Sequence, residues 1–178
     1  GGANGSVIRI NHNDTHPYVI DSSTYIADLT ITNGSTNQHG GGVYCKKSNP
    51  TFENLNIIDN TTSTEGGGIW FDISDSNLSN VFVDNNHSES GGGGLHFQNT
   101  CNSQLQNVEV TNNTTNNDGG GIYIEDNSSV YISNSLISGN SSSDRGGGLH
   151  VTGQGSAGYG LHILDSEVSS NYALNTAG

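Results

Sequence analysis

The feature that most constrains this chain is a repeat of 26 to 27 residues marked by glycine triplets. The triplets occupy positions 40–42, 66–68, 92–94, 119–121 and 146–148. The apolar residues that follow them, at 43, 69, 95, 122 and 149, are therefore 26, 26, 27 and 27 positions apart. A unit this short cannot bury an apolar face alone, so such units must stack on one another to form a common core.

A second signature follows each triplet after about ten residues and has the form apolar-x-Asn/Asp-x-x-apolar-x-x-Asn. Clear copies begin at Phe52, Leu78, Leu105 and Ile132, and looser copies begin at Ile26 and Ile163. Short strands with period-two alternation, one set in every repeat, predict that each repeat makes one turn and pairs in parallel with the next at about 4.8 Å. The sequence thus predicts an all-β, right-handed parallel β-helix of six to seven coils. It forms one domain over residues 1–178, with an irregular first coil (1–25), regular coils (26–178) and an insertion at 153–160.

The Asn/Asp position of the second signature predicts a structural ladder. Its members are Asp28, Asn54, Asn80, Asn107, Asn134 and Asp165. We expect each side chain to lie buried at a turn and to form hydrogen bonds with its equivalents in the coils above and below, as in cross-β stacks.

One row of ring-bearing side chains occupies the same strand position in five consecutive coils. Its members are Tyr44, Trp70, His96, Tyr123 and His150. Strand alternation predicts that they face outward, about 4.8 Å apart. Two interpretations stay open: flat side chains that simply stack well on a parallel sheet, or an aromatic strip for sugar rings or for packing against another subunit.

Sequons for N-glycosylation are more frequent than the composition alone would give. They occur at Asn4, Asn13, Asn33, Asn60, Asn77, Asn86, Asn112, Asn113, Asn127 and Asn140. In a eukaryotic secretory protein several would carry glycans. The alternative is that these asparagines are turn residues, beside which Ser and Thr are common for the same reason.

Two segments carry a resemblance to a known family. The stretches SNPTFENLNIIDNTTSTEGGGIWF and VYISNSLISGNSSSDRGGGLHV resemble the β-helix repeats of polymorphic outer-membrane proteins and related secreted, adhesin-like proteins. In that family an F-x-x-N block alternates with a G-G-A/G-I/L/V block, and here Ile57, Val83, Val110 and Ile137 stand where Phe is usual. The resemblance, over residues 20–178, implies an exported, surface-associated and mostly non-enzymatic protein.

Charge and motif content exclude several classes of function. A net charge of −13 with four fixed cations argues against nucleic acid and anionic membrane surfaces. The chain has no apolar stretch long enough to insert into a membrane. No metal-binding motif and no cofactor motif occurs, so we predict neither ligand. Arginines are too few for lyase chemistry.

Cys45 and Cys101 lie two coils apart, about 9.6 Å, which predicts no disulfide between them. Cys45 should be a buried apolar residue, and Cys101 either free or bonded to another molecule.

The leading functional hypothesis is an extracellular or cell-surface structural or adhesive module, a segment of a stalk or fibril. The alternative is a β-helix that binds or cleaves polysaccharides. The expected partners are a second copy stacked head to tail or adjoining repeats of a longer chain, and glycans. Joined tail to head, Gly178, Gly1 and Gly2 would restore a glycine triplet, with residues 7–10 as a first strand. An accidental fragment boundary is the competing explanation of these ends.

Overall fold

A computed structural model describes residues 5–12, 20–153 and 160–174, and over these ranges the chain is a parallel β-helix. Three parallel sheets run along its length, and each coil contributes a strand to every sheet. The predicted fold class is confirmed. The described residues build six layers, and the five steps between them make about five turns, slightly fewer than the six to seven coils predicted.

Every coil passes through the three sheets in the same order. The first sheet contains β1 (Ile8–Asn11), β4 (Val43–Lys46), β7 (Ile69–Asp72), β10 (Leu95–Gln98), β13 (Ile122–Ile124) and β17 (Leu149–Val151). The second contains β2 (Tyr25–Thr32), β5 (Thr51–Ile58), β8 (Asn77–Asp84), β11 (Asn102–Thr111), β14 (Ser129–Ser133), β15 (Leu136–Ser138), β18 (Gly160–Leu164) and β19 (Glu167–Ser169). The third contains β3 (Ser35–Thr36), β6 (Thr61–Thr62), β9 (His87–Ser88), β12 (Thr114–Thr115), β16 (Ser141–Ser142) and β20 (Tyr172–Ala173).

The register between strands follows the sequence repeat and builds a narrow apolar core. Between β5 and β8, Phe52 pairs with Leu78 and Ile57 pairs with Val83, so inward apolar positions lie directly above one another. These residues are buried, and the rings of Phe71 and Phe97 in the first sheet stack with centroids 4.8 Å apart. Each coil therefore has its inward side chains covered by the equivalent side chains of the next coil.

Four positions in each coil after the first described layer adopt left-handed backbone conformations, which Asn and Gly favour. One row is glycine throughout: Gly40, Gly66, Gly92, Gly119 and Gly146. A second follows the first-sheet strands: Lys47, Ile73, Asn99, Asp126 and Gly153. A third is the predicted ladder, from Asp28 to Asp165, and a fourth is Asn33, Asp59, Asn85, Asn112, Gly139 and Ser170. Asn and Asp tolerate this conformation better than other non-glycine residues, and nine asparagines among the described residues have a positive φ.

The glycine triplets turn the chain into the first sheet. Gly66 begins a triplet with a φ of 69°, and a Cβ atom on Gly67 would lie 2.3 Å from the carbonyl oxygen of Gly93 in the next coil. The backbones of successive coils are in direct contact here, so only glycine fits.

The first described strand, β1, pairs with β4 in the same register as the later coils, Ile8 opposite Val43. It lies within the segment expected to be an irregular first coil. Residues 154–159 of the expected insertion lie outside the described ranges. Among the described residues, no helix has the length and apolar character needed to cross a membrane.

Candidate functional site

The predicted aromatic row lies on the outer side of the first sheet, but its central members are not exposed. The register places Tyr44, Trp70, His96, Tyr123 and His150 side by side across β4, β7, β10, β13 and β17. Trp70 is 2% exposed and His96 is 0% exposed. The row therefore faces away from the core, but its middle is not accessible, which is wrong for an open strip that binds sugar rings.

The rings are buried because they cover one another and because corner residues close over them. Tyr44 and Trp70 have ring centroids 4.8 Å apart, and the ring of His39, from the preceding corner, stacks on Trp70 at 4.5 Å. On the other side of His96, Tyr123 packs edge-on against it at 4.9 Å. Gly91 lies against the Tyr123 ring, where a Cβ atom would come within 2.8 Å of it. Such a row stabilises the stack of coils and leaves its central rings no free face for a sugar.

At the centre of this row the fold brings together three ionisable groups from three successive layers. Glu65 lies in the corner before β7, His96 lies in β10, and Glu125 follows β13. Each offers one potential ligand atom, and the three atoms lie within 4.8 Å of one another. His96 Nε2 is 3.0 Å from Glu125 Oε1. The sequence did not connect these residues, because Glu65 and Glu125 occupy different positions of the repeat.

Several nitrogen atoms around Glu65 are buried without a hydrogen-bond partner. They are Nδ1 of His96, Nε1 of Trp70 and Nδ1 of His39. His39 Nδ1 lies 3.2 Å from Glu65 Oε2, which is an ion-pair distance, but without the alignment of a hydrogen bond. His39 and Trp70 both contact the Glu65 carboxylate and lower its pKa, so of these three nitrogen atoms His96 Nδ1 is the one without such a contact.

Burial and neighbouring groups shift the pKa values of two side chains in this cluster, Glu65 and Tyr123. The contact with His39, aided by the nearby charge of His96, lowers the pKa of Glu65, so its carboxylate form is favoured. Burial, followed by the charge of Glu125, raises the pKa of Tyr123 and keeps its hydroxyl protonated. The centre of the row therefore combines the carboxylate of Glu65 with the protonated hydroxyl of Tyr123.

The predicted ladder forms a chain of side-chain hydrogen bonds, but at the surface. Asn54 Nδ2 donates to Asp28 Oδ1 at 3.0 Å, Asn80 to Asn54 at 3.1 Å, and Asn107 to Asn80 at 2.7 Å. Asn134 and Asp165 share the left-handed backbone conformation. All six residues are exposed, which corrects the expectation of burial, because a left-handed residue in the middle of a strand turns its side chain away from the core.

A second ladder, which the sequence did not identify, lies in the core. Asn86 Nδ2 donates to the carbonyl oxygen of Ile57 at 2.8 Å and to Asn113 Oδ1 at 2.9 Å. Its own Oδ1 accepts hydrogen bonds from the backbone N–H and the Nδ2 of Asn60, both at 3.0 Å. The same pattern continues through Asn140 to Asn171. Each central side chain thus uses both donors and accepts two bonds.

This buried ladder corrects four of the glycosylation sites. Asn60, Asn86, Asn113 and Asn140 are at most 1% exposed, and Nδ2, the atom that would carry a sugar, is fully hydrogen-bonded. The sequence does contain a signal for this buried ladder: the asparagine is the same in these repeats, whereas the residue before it varies.

The remaining sequons differ in accessibility. Asn33 and Asn112 are exposed, whereas Asn77 and Asn127 are half-buried. Asn4 and Asn13 lie outside the described residues.

Both cysteines are free thiols buried in the core. They lie on either side of Ser74, whose Oγ is 3.5 Å from Cys45 Sγ and whose backbone N–H donates to Cys101 Sγ at 3.4 Å. Burial raises the pKa of Cys45 to about 11 and that of Cys101 to about 12. The suggested bond from Cys101 to another molecule is therefore wrong for the folded chain, because its turn directs the thiol inward.

An open groove runs along the exposed ladder on the second sheet. Asn54, Asn80 and Asn107 form one side, and Asn56, Phe82 and Glu109 line the other, enclosing about 500 Å³. The groove continues past Asn134 and Asp165 towards Glu167. Its amides, carboxylates and aromatic ring are groups that bind the hydroxyls and apolar faces of sugars.

The comparison with known families agrees with this architecture. A family described as the right handed beta helix region matches residues 3–172. The chain belongs to the right-handed β-helix family. No curated protein and no solved structure gives a significant match. Because this fold hosts enzymes and non-enzymes alike, family membership fixes the architecture and leaves the activity to be argued from the surfaces described above.

Proposed function

We propose that this β-helix is a structural module of an extracellular or cell-surface stalk or fibril. In it, the end coil of the module stacks on an adjoining coil of the same polypeptide or of a second copy. The single observation that carries the proposal is the apolar face of the last described coil. Val151, Ile163 and Val168 there are 36%, 38% and 46% exposed. Their partners one coil earlier, Ile124, Ile132 and Ile137, are at most 2% exposed.

The opposite face is largely covered, since Ile10 and Ile31 of the first described layer are 8% and 0% exposed, and Leu29 is its most exposed core position. Leu29 in the first coil is 38% exposed, whereas its partner Leu55 is 1% exposed. The uncovered core positions of the last described coil favour contact with a further coil of the same kind, because the same side chains are covered wherever another coil lies against them. The edge strands also offer unpaired backbone groups, which recruit further strands.

The remaining properties support an exported location. The repeats resemble those of polymorphic outer-membrane proteins and secreted adhesin-like proteins in their F-x-x-N and glycine blocks. A chain with 30% hydrophobic residues and a net charge of −13 is suited to a solvated, elongated rod. The partner we propose is an adjoining coil, either from the same polypeptide or from a second copy.

End stacking is tested by sedimentation velocity of the chain from about 1 to 100 µM, where a non-closing contact yields growing oligomers. Ile163→Glu, which places a charge on the apolar face, should reduce association strongly. Leu164→Glu is the matched control, since Leu164 lies beside Ile163 in β18 but is 63% exposed on the outer side. A monomer at every concentration contradicts stacking between separate copies, and association that only Leu164→Glu abolishes contradicts the apolar face as the contact.

A second candidate function, glycan binding, is favoured by the groove along the exposed ladder. Its described lining contains Glu109 and Phe82 but no arginine. Arg9 lies over the ring of Tyr44, and Arg145 faces Asp144. This composition favours binding of a neutral polysaccharide over lyase chemistry on an acidic one.

Calorimetric titration with neutral and acidic oligosaccharides tests this second candidate. Phe82→Ala should weaken binding, whereas Tyr131→Ala, an exposed ring that does not line this groove, should leave it unchanged. New reducing or unsaturated ends in the mixture would favour the enzymatic alternative. Equal affinity of both variants would contradict the groove as the binding site.

A further inference from the structure

We propose that Glu65, His96 and Glu125 form a binding site for a divalent transition-metal ion of the zinc class. The proposal goes beyond the stalk function and does not depend on it. The three side chains come from three successive layers, and their ligand atoms lie within 4.8 Å of one another. In a tetrahedral site with bonds of about 2.0–2.1 Å the ligand atoms are about 3.4 Å apart, so binding requires side-chain rotations that bring all three atoms to this spacing.

The state of His96 indicates a ligand. Its side chain is fully buried, and its Nδ1 has no hydrogen-bond partner, while Nε2 contacts Glu125. Nε2, which lies 3.0 Å from Glu125 Oε1, is the ring nitrogen placed to bond an ion shared with that carboxylate, whereas the unpartnered Nδ1 is the other nitrogen of the ring. An imidazole fixed inside a close-packed row of rings is also held in place for coordination.

The charge around the site favours a cation. Glu65 and Glu125 place two carboxylates beside the imidazole of His96. Asp118 adds a third carboxylate near Tyr123, on which Glu65 and Glu125 also act. Lys46 pairs with Asp72 at 2.6 Å, and Arg145 faces Asp144, so these cations are engaged elsewhere. A divalent ion would balance the two carboxylates.

The ligand set selects the class of metal, and its exposure gives the route of entry. One imidazole and two carboxylates suit Zn²⁺ and its first-row neighbours, whereas Ca²⁺ and Mg²⁺ prefer sites made of oxygen alone. The carboxylate side chains of Glu65 and Glu125 remain 26% and 21% exposed, so they form the rim above a buried His96. Solvent or an external group can complete the coordination from the outside.

Such an ion would join three coils at the middle of the solenoid. The three ligands are contributed by the corner before β7, by β10 and by the end of β13. Because the site exists only when these layers are stacked, binding stabilises the folded chain against unfolding.

The test is titration of the chelator-treated chain with Zn²⁺, followed by calorimetry and thermal unfolding, with Co²⁺ absorption as a spectroscopic signature of the ligands. We expect one ion per chain, and a rise in Tm of about 5–10 °C at a hundredfold excess over Kd. Ca²⁺ should produce no comparable shift. Absence of saturable binding up to about 100 µM Zn²⁺ overturns the proposal.

Variants separate this site from other histidines. His96→Gln should abolish binding, and Glu65→Gln and Glu125→Gln should each weaken it at least about tenfold. His150→Gln, in the same row two layers away, is the matched control and should bind as the unmodified chain does. If His96→Gln fails to fold, the two glutamate variants decide. Unchanged affinity in both of them, or loss of binding only on replacing His87 beside Glu89, contradicts the assignment.

Discussion

Two rows of asparagine run along this solenoid with the same spacing, and they differ in what the residue does. In the exposed row, from Asp28 to Asp165, every member has a positive φ, and Asp replaces Asn at both ends. In the buried row, from Asn60 to Asn171, only Asn occurs, and the positive φ belongs to the residue before it. The exposed row is selected for its backbone, and the buried row for its side chain.

The difference follows from hydrogen-bond supply. A surface amide that loses its partner finds water, so its ladder adds little to stability. An amide in the core has no water to replace a lost partner, so it must itself satisfy the buried hydrogen-bonding groups of its neighbours. Only Asn among short side chains offers two N–H donors and an acceptor there, which explains why Asp never substitutes in the buried row.

The strongest test of the comparison is Asn86→Ala. This change leaves the carbonyl oxygen of Ile57 and the backbone N–H of Asn60 buried without their partners. At about 1–3 kcal/mol for each group, the loss in free energy of unfolding should be about 2–6 kcal/mol. Urea unfolding followed by circular dichroism measures it.

Asn86→Asp serves as the companion variant, since it keeps the shape and the acceptor but removes both donors. It should destabilise at least as much as Asn86→Ala, because a buried carboxylate would then face the carbonyl of Ile57. A loss in either variant no larger than that of Asn80→Ala in the exposed row would contradict a special role for the buried side chains.

In the exposed row, the cost should depend on the backbone conformation. Asn80 has a φ of 54°, so Asn80→Ala should cost about 1–2 kcal/mol, the strain of a left-handed residue with a Cβ. Asn80→Gly should cost clearly less, because glycine adopts this conformation freely. If both variants lose the same stability in urea unfolding, the side-chain hydrogen bonds matter more than the backbone.

Asn117 belongs to neither row and sets the baseline. Its Nδ2 donates to the carbonyl oxygen of Ser90 at 2.9 Å at the exposed surface. Asn117→Ala should change the free energy of unfolding by no more than about 0.5 kcal/mol. A larger loss in the same urea experiment would mean that surface amides as a class stabilise this fold.

The smallest effect expected is that of a glycan at an exposed sequon. When the chain is secreted from a eukaryotic host, mass spectrometry of the folded protein should find sugar at Asn33 and none on the buried row. Removing the sugar enzymatically should leave Tm almost unchanged, since Asn33 lies at the surface. Sugar on Asn86 in folded protein would contradict its position in the core.

Much of the fold follows from the sequence, because spacing alone determines which residues stack. The pairing of Val43 with Ile69 and of Phe52 with Leu78 can be read from the repeat. The spacing does not show what covers an outward side chain, since that depends on how the corners fold. Trp70 is buried because His39, which belongs to a different part of the repeat, stacks on it.

The candidate metal site is likewise only partly predictable from the sequence. His96 was identified by its position in a row, but Glu65 and Glu125 were not, because they lie 31 residues before and 29 residues after it. Only the path of the backbone through the corners brings them together. The glycine corners, which place Glu65 beside the first sheet, are visible in the sequence, but the direction of its side chain is not.

The stacking of one coil per layer has a mechanical consequence. A coil of 26 residues occupies about 4.8 Å of the long axis, yet its chain extends to roughly 85–94 Å when pulled straight. Tension applied along the axis peels off an edge coil and loads only that coil's hydrogen bonds, so the coils should yield one after another. A rod built this way would lengthen about eighteen- to twentyfold in discrete steps, while the coils that remain folded keep their structure.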